Sequence, residues 1–260
     1  MHHPLNTREK ALVAALALAI ATACLGPSVA QFDHYHAFAD QRPWLGLPCA
    51  FDVLSNLPFA VLGCWGMLRL RNGQGSQPAG EQRILAALFF AGLVLTALCS
   101  GWYHLRANDA GLAVDRLGMV SAFAGLLGLA AADRISTRAG MWTAGTVMAL
   151  GPITVLVWFS NGNLLPWSLL QGGGMLLIVL LALRQPLPRT WGLPLAAVIA
   201  WYVLAKALEL GDHAVFDLTQ GLVSGHTLKH VAAALAAWPV IALMHNGAQA
   251  RPWQPRAARA

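Results

Sequence analysis

Charge is what this 260-residue chain has least of: 11% of its residues are Asp, Glu, Lys or Arg, while 57% are hydrophobic. An ordinary soluble domain carries about a quarter of its residues as charges, so that class is excluded. Mean hydropathy is +0.55, and the fold expected is an all-α membrane protein with lipid as its solvent. Cysteine is scarce as well. Cys24, Cys49, Cys64 and Cys99 lie singly in or near apolar segments, supply no disulfide framework, and are read as small buried hydrophobes. Long polar stretches are missing: the longest interruption, Asn72 to Glu81, is a loop by its Gly, Pro, Ser and Gln content, so no extramembrane domain fits between the apolar runs. No internal repeat is visible. A His-Glu-x-x-His motif is absent too, Thr227 following His226, which argues against an intramembrane metalloprotease.

What remains is a series of apolar runs of about the twenty residues a spanning helix needs. They cover 11–30, 50–70, 83–103, 111–131, 141–160, 166–184, 191–210 and 222–245. The positive-inside bias orients them. Of 17 Lys and Arg, one side would hold Arg8, Lys10, Arg69, Arg71, Arg83, Arg134, Arg138, Arg184, Arg189, Arg251, Arg256 and Arg259, and the other only Arg42 and Arg106. Arg116, Lys206 and Lys229 fall within spans. Both termini are therefore expected in the cytoplasm, and the net charge of +6 is an orientation signal, with no nucleic acid as partner. The first run resembles a signal peptide ending at Ser28-Val29-Ala30, but it is long for a signal core and is read as an uncleaved helix.

Ionisable groups are costly at membrane depth and mark function by default. Ser100 and His104 form a Ser-x3-His pair, Asp115 follows, and His226 and His230 form a His-x3-His pair. Span counting brings all five to the non-cytoplasmic ends of three helices. Residues four apart share a helix face, so each pair can act on one point. A single His near a helix end is more often hydrogen-bonded than ligating; three with a Ser and an Asp at one depth reverse that preference. Three neutral imidazoles with an open fourth position suit a catalytic zinc.

With FADQR at Phe38–Arg42, SNLPF at Ser55–Phe59, WYHLRAND at Trp102–Asp109, DRLGM at Asp115–Met119 and LVSGHTLKH at Leu222–His230, this constellation resembles the bacterial branch of the alkaline ceramidase family. That family belongs to a superfamily of seven-helix membrane hydrolases that includes the progestin/adiponectin receptors. The likeness runs from about Phe38 to the last span. It implies an N-terminal extension with an extra transmembrane helix over 1–37, a seven-helix domain over 38–248 and a cytoplasmic tail over 249–260, in a bacterial inner membrane. It implies a zinc-dependent amide hydrolase acting on ceramide-like lipids, with His104, His226 and His230 as zinc ligands. Asp115 would be the general base and Ser100 a hydrogen-bond donor to the metal site or the oxyanion. A lipid receptor of the same superfamily is the competing class; retention of Ser100 and Asp115 argues against it.

The resemblance weakens for calcium. Where the eukaryotic relatives end an acidic segment in Glu, this chain has Cys49, and Asp33 and Asp40 are what remains upstream. Calcium is expected to matter little; a second metal site would draw on Asp40 and Asp52, although Asp52 reads equally as a helix N-terminal carboxylate. Other polar residues receive plainer readings. His34 and His36 are expected to be solvated, Lys206 and Glu209 to pair within a helix, with Glu209 and Asp212 supporting the site, and Arg116 to anchor at the interface. His245 falls at the opposite end, Gly172-Gly173-Gly174 suggests close helix packing, and Trp44, Trp102, Trp191, Trp201 and Trp253 suit interfacial belts.

Overall fold

The computed structural model describes residues 4–73 and 75–246. The expected tail, 249–260 with Arg251, Trp253, Arg256 and Arg259, lies outside the described residues. Within them the chain is helical, without a β-strand. Six helical stretches are long and apolar enough to cross a membrane: Ala50–Asn72, Gly80–Leu105, Asp109–Arg134, Thr137–Asn161, Leu165–Ala182 and Gly225–His245. The fold is thus that of an all-α membrane protein.

Helices occupy the two other expected spans but fall short of those criteria. Helix α1 (Thr7–Leu25) carries Arg8, Glu9 and Lys10 in its first turn, where Asn6 and Glu9 form a capping box. Helix α8 (Leu195–Leu210) starts only after Pro194 and has 16 residues, a length of about 24 Å against a hydrocarbon core of about 30 Å. Two spans are broken. The second divides into α2 (Ala50–Leu54) and α3 (Leu57–Asn72), with Pro58 opening α3. The last divides into α10 (Gly225–Leu235) and α11 (Trp238–Asn246), where Pro239 cannot continue a helix's hydrogen bonds.

Helices α4 (Gly80–Leu105) and α5 (Asp109–Arg134) form the most closely packed pair, and glycine explains why. A Cβ on Gly92 would lie 2.2 Å from the Ala122 nitrogen, and one on Gly125 would lie 2.3 Å from the Phe89 nitrogen, so the two backbones touch at both sites. Helices α6 (Thr137–Asn161) and α7 (Leu165–Ala182) follow, α6 against α5 and α7 against both α5 and α6. The packing role expected of Gly172-Gly173-Gly174 is corrected: Gly172 and Gly173 face open space, and only Gly174 approaches Leu127.

The basic end of the bundle is tied together in polar contacts. Arg8 donates to the Arg134 carbonyl, Glu9 accepts from Ser136 and Arg138, and Asp133 pairs with Arg134 while accepting from the Gly192 and Leu193 amides. Arg69 contacts His245 at this end, as expected for a residue remote from Ser100 and His104. Trp191, expected in a belt, is buried and donates to the Ser76 carbonyl; Trp44 and Trp102 are exposed. The cysteines are free and none is buried, Cys24 and Cys64 facing outward. Their reading as buried is corrected for Cys24 and Cys64, which are exposed; Cys49, just before α2, and Cys99, against Gly118 on the α4–α5 seam, are half-buried.

Candidate metal centre

At the other end, three elements converge. Helix α4 delivers Ser100 and His104 on one face, and both are buried. Helix α10 begins at Ser224, whose side chain caps the Thr227 amide, and its first two turns turn His226 and His230 toward His104. The facing nitrogens of the three imidazoles all lie within 4.8 Å of one another, so this buried group can hold a metal ion. Nε2 of His226 is 3.3 Å from Nε2 of His104. Two nitrogens on one tetrahedral zinc, each about 2.0–2.1 Å from it, stand about 3.3 Å apart. Among the described residues this is the group of His, Cys, Asp and Glu side chains so arranged.

Neighbouring groups fix the ring orientations. Ser55, in the break between α2 and α3, lies 2.8 Å from Nδ1 of His230, which leaves Nε2 to face the cluster. Asp52 accepts from the Thr227 hydroxyl at 2.7 Å, tying α2 to α10. Asp212, in the short helix α9 (Asp212–Leu218), accepts from the His226 amide at 2.7 Å and the Ala39 amide at 2.9 Å. The Phe38 ring then lies over the site, its centroid 4.4 Å from that of His226 and 4.8 Å from that of His104. Of these supports, Asp212 was legible in the sequence. Ser55 and Phe38 stood only as members of the motifs that carry the family resemblance, and no spacing rule links residues so far apart.

Ser100 is directed at the Asp115 carboxylate across the α4–α5 seam, and the charges of Lys229 and Glu209 also act on Asp115. Lys206 and Glu209 do pair within α8, and Lys229 of α10 joins them by donating to Glu209.

Asp40 and Asp52 do not meet at one point: Asp40 is engaged by Arg42, and Asp52 accepts from Thr227 through Oδ1 while its buried Oδ2 has no hydrogen-bond partner among the described residues. Asp40 is clasped by the Arg42 guanidinium; burial raises its carboxyl pKa, but those bonds outweigh it and hold the group below its ordinary value. Asp52 lies in the first turn of α2, as a helix N-terminal carboxylate would, but it is fully buried. Cys49, in left-handed backbone at φ 43°, has its thiol pushed up by burial and by the carboxylates of Asp52 and Asp40.

Two readings are corrected. His36 is not simply solvated: Nδ1 meets the Tyr103 hydroxyl at 2.8 Å and Nε2 meets Asp109 at 3.0 Å, because the loop folds back over α4. Arg116 does not reach the interface. It is buried, stacked 4.0 Å from the Trp158 ring centroid, with Nη2 donating to Gln31, since aromatic faces attract a guanidinium inside the bundle.

Comparison with family models, curated proteins and solved structures returned no match.

Proposed function

We propose that the protein is a zinc-dependent integral-membrane hydrolase that cleaves the amide bond of ceramide-like N-acyl lipids, releasing a fatty acid and an amine base. The observation that carries the reading is the buried convergence of His104, His226 and His230; the motif resemblance to alkaline ceramidases supplies the substrate class. The donors fit zinc, being imidazoles with one pair at tetrahedral spacing and a tautomer set by Ser55. Bound zinc supplies a Lewis acid for the amide carbonyl and lowers the pKa of a coordinated water to about 7.

The chain's own groups do the rest. The three histidines hold the ion. Asp115 removes the proton of the attacking water and returns it to the departing nitrogen as the new C–O bond replaces the C–N bond. Ser100 orients Asp115 by donating its one hydroxyl hydrogen to the carboxylate, and turns that hydrogen to the developing oxyanion once Asp115 has taken up the water's proton; it is not the nucleophile, since all three imidazoles are committed to the ion and none is left to activate it. Phe38 keeps bulk water off the imidazoles from the loop side. In this reading α1 is an addition to a seven-helix core, both termini are cytoplasmic, and the metal centre lies near the non-cytoplasmic face of a bacterial inner membrane.

The test is zinc content by plasma emission alongside fatty-acid release from a panel of N-acyl lipids. His104→Ala, His226→Ala and His230→Ala are expected to lose both. Asp115→Asn should keep about one equivalent of zinc and lose on the order of 10²-fold or more in turnover. Zinc without turnover on any amide in the wild type would leave a lipid-binding zinc protein, and full zinc in the histidine variants would refute the ligand set.

A further inference from the structure

At the basic end of the bundle, ~33 Å along α4 from His104, an open cavity of about 360 Å³ lies between the start of α4, the α5–α6 corner and the 187–190 turn. That volume falls in the range of small-molecule sites, about 300–1,000 Å³. The polar lining is Gln82, Ser136, Thr137, Arg189 and Thr190, and no carboxylate lines it. The turn that carries Arg189 is fixed: the Leu187 amide donates to the Asp133 carbonyl at 2.9 Å, and the Thr190 hydroxyl donates to the Leu187 carbonyl at 2.7 Å.

The hydrogen bonds around the cavity leave particular donors unused. A hydroxyl has one hydrogen; that of Ser136 goes to Glu9 at 2.6 Å and that of Thr190 to Leu187, so both are spent. Gln82 is only 8% exposed, yet among the described residues its carboxamide has no hydrogen-bond partner. A buried amide without a partner is costly, so what fills the cavity must supply one. Thr137 opens the 25-residue helix α6, where its amide has no intrahelical acceptor, and its hydroxyl is unpaired among the described residues. Arg189 is exposed and, among the same residues, meets no carboxylate or other acceptor.

These groups approach the cavity from three elements, and their electrostatics agree. The α6 N-terminus is positive, Arg189 is the one charge on the lining, and the carboxylates of this end are occupied or turned away. Glu9 pairs with Arg138 and Asp133 with Arg134, while Glu81 is exposed and off the lining. Water would satisfy the Gln82 amide alone; an unpaired guanidinium beside a helix N-terminus favours an anion. Donors on three sides suit the tetrahedral oxygens of a phosphate better than the two coplanar oxygens of a carboxylate.

We infer that this cavity binds a phosphate group, anchored by Arg189 and the α6 N-terminus, with Gln82 as a neutral donor. Because α4 and α6 begin here and α5 ends here, the cavity lies at the depth of lipid headgroups, and either a phospholipid or a free phosphate can deliver the group. The site is remote from the metal centre, so its occupation is independent of hydrolysis.

Calorimetric titration of the purified full chain in detergent tests it, with dihexanoylphosphatidylglycerol, inorganic phosphate and dihexanoylglycerol as probes. The first is expected to bind saturably and the last, which lacks phosphate, not at all. Arg189→Gln should weaken binding about tenfold or more and Gln82→Leu about two- to tenfold, while Arg189→Lys keeps most of it. Arg189 is exposed, so its variants carry the test even where Gln82→Leu lowers stability. Arg184→Gln, exposed and off the lining, should leave the affinity unchanged. Inorganic phosphate binding as tightly as the lipid assigns the site to a free phosphate, and a preference for the lipid assigns it to a headgroup; either supports the inference. Saturable binding of neither phosphate probe, equal binding of dihexanoylglycerol, an unchanged affinity in Arg189→Gln, or an equal loss in Arg184→Gln, which would mean diffuse surface charge, overturns it.

Discussion

Ser55 offers the sharpest test of the metal centre, because it touches the ion only through His230. Its hydroxyl and Nδ1 of His230 are 2.8 Å apart, and both residues are buried. In Ser55→Ala the Nδ1–H group has no partner and no water to replace one. The imidazole then gains by presenting the other tautomer or by rotating, and either removes Nε2 from the ion. Loss of such an outer hydrogen bond costs about 10–100-fold in metal affinity, or roughly 1.4–2.7 kcal/mol. The small cavity left by one oxygen is a minor addition. The assay is zinc competition against a chelator of known affinity, with thermal stability of the metal-free protein as control. Ser55→Ala should weaken zinc within that range and leave the metal-free melting temperature nearly unchanged, while Ser55→Thr, which keeps the hydroxyl, should restore much of the affinity. Unchanged zinc affinity in Ser55→Ala would refute the claim that this bond holds His230 in register.

Other features give independent expectations. Gly125→Val places a branched side chain where a Cβ would already lie 2.3 Å from the Phe89 nitrogen; separating α4 from α5 should lower stability by about 2 kcal/mol or more, read as a lower melting temperature in detergent. The Asp40 carboxyl is held below its ordinary pKa, so its contribution to anchoring the 38–49 loop is complete above the unfolded value, about 3.9, and is lost as pH falls through the lower folded value. Protection of that loop from hydrogen exchange, taken relative to the intrinsic amide rate at each pH, should therefore be constant from pH 5 to 8 and fall below about pH 4, and Asp40→Asn should abolish the pH dependence. In a cysteine-free background, Ala79→Cys should react with an impermeant maleimide only after the cytoplasmic side is opened, and Ala110→Cys in intact cells; the reverse pattern would invert the topology.

Much of this architecture is legible in the residues alone, because period and polarity are local properties. Apolar runs of spanning length marked six helices by position, and the scarcity of charge made the appearance of Ser100, His104, Asp115, His226 and His230 in those runs conspicuous. Counting spans then placed the three histidines at one end, and they do converge there. What local pattern could not show is which side chains face one another across distant segments. Only the fold brings Ser55 against His230, closes Phe38 over two imidazoles and sets Lys229 on Glu209, since each contact depends on helix rotation and on breaks such as that at Ser55-Asn56. Arg116 and His36 were misread for the same reason. A residue's own neighbours give its depth in the chain, but its partners are decided by packing, and the tertiary structure turned a presumed interfacial anchor and a solvated loop residue into buried and bridging ones.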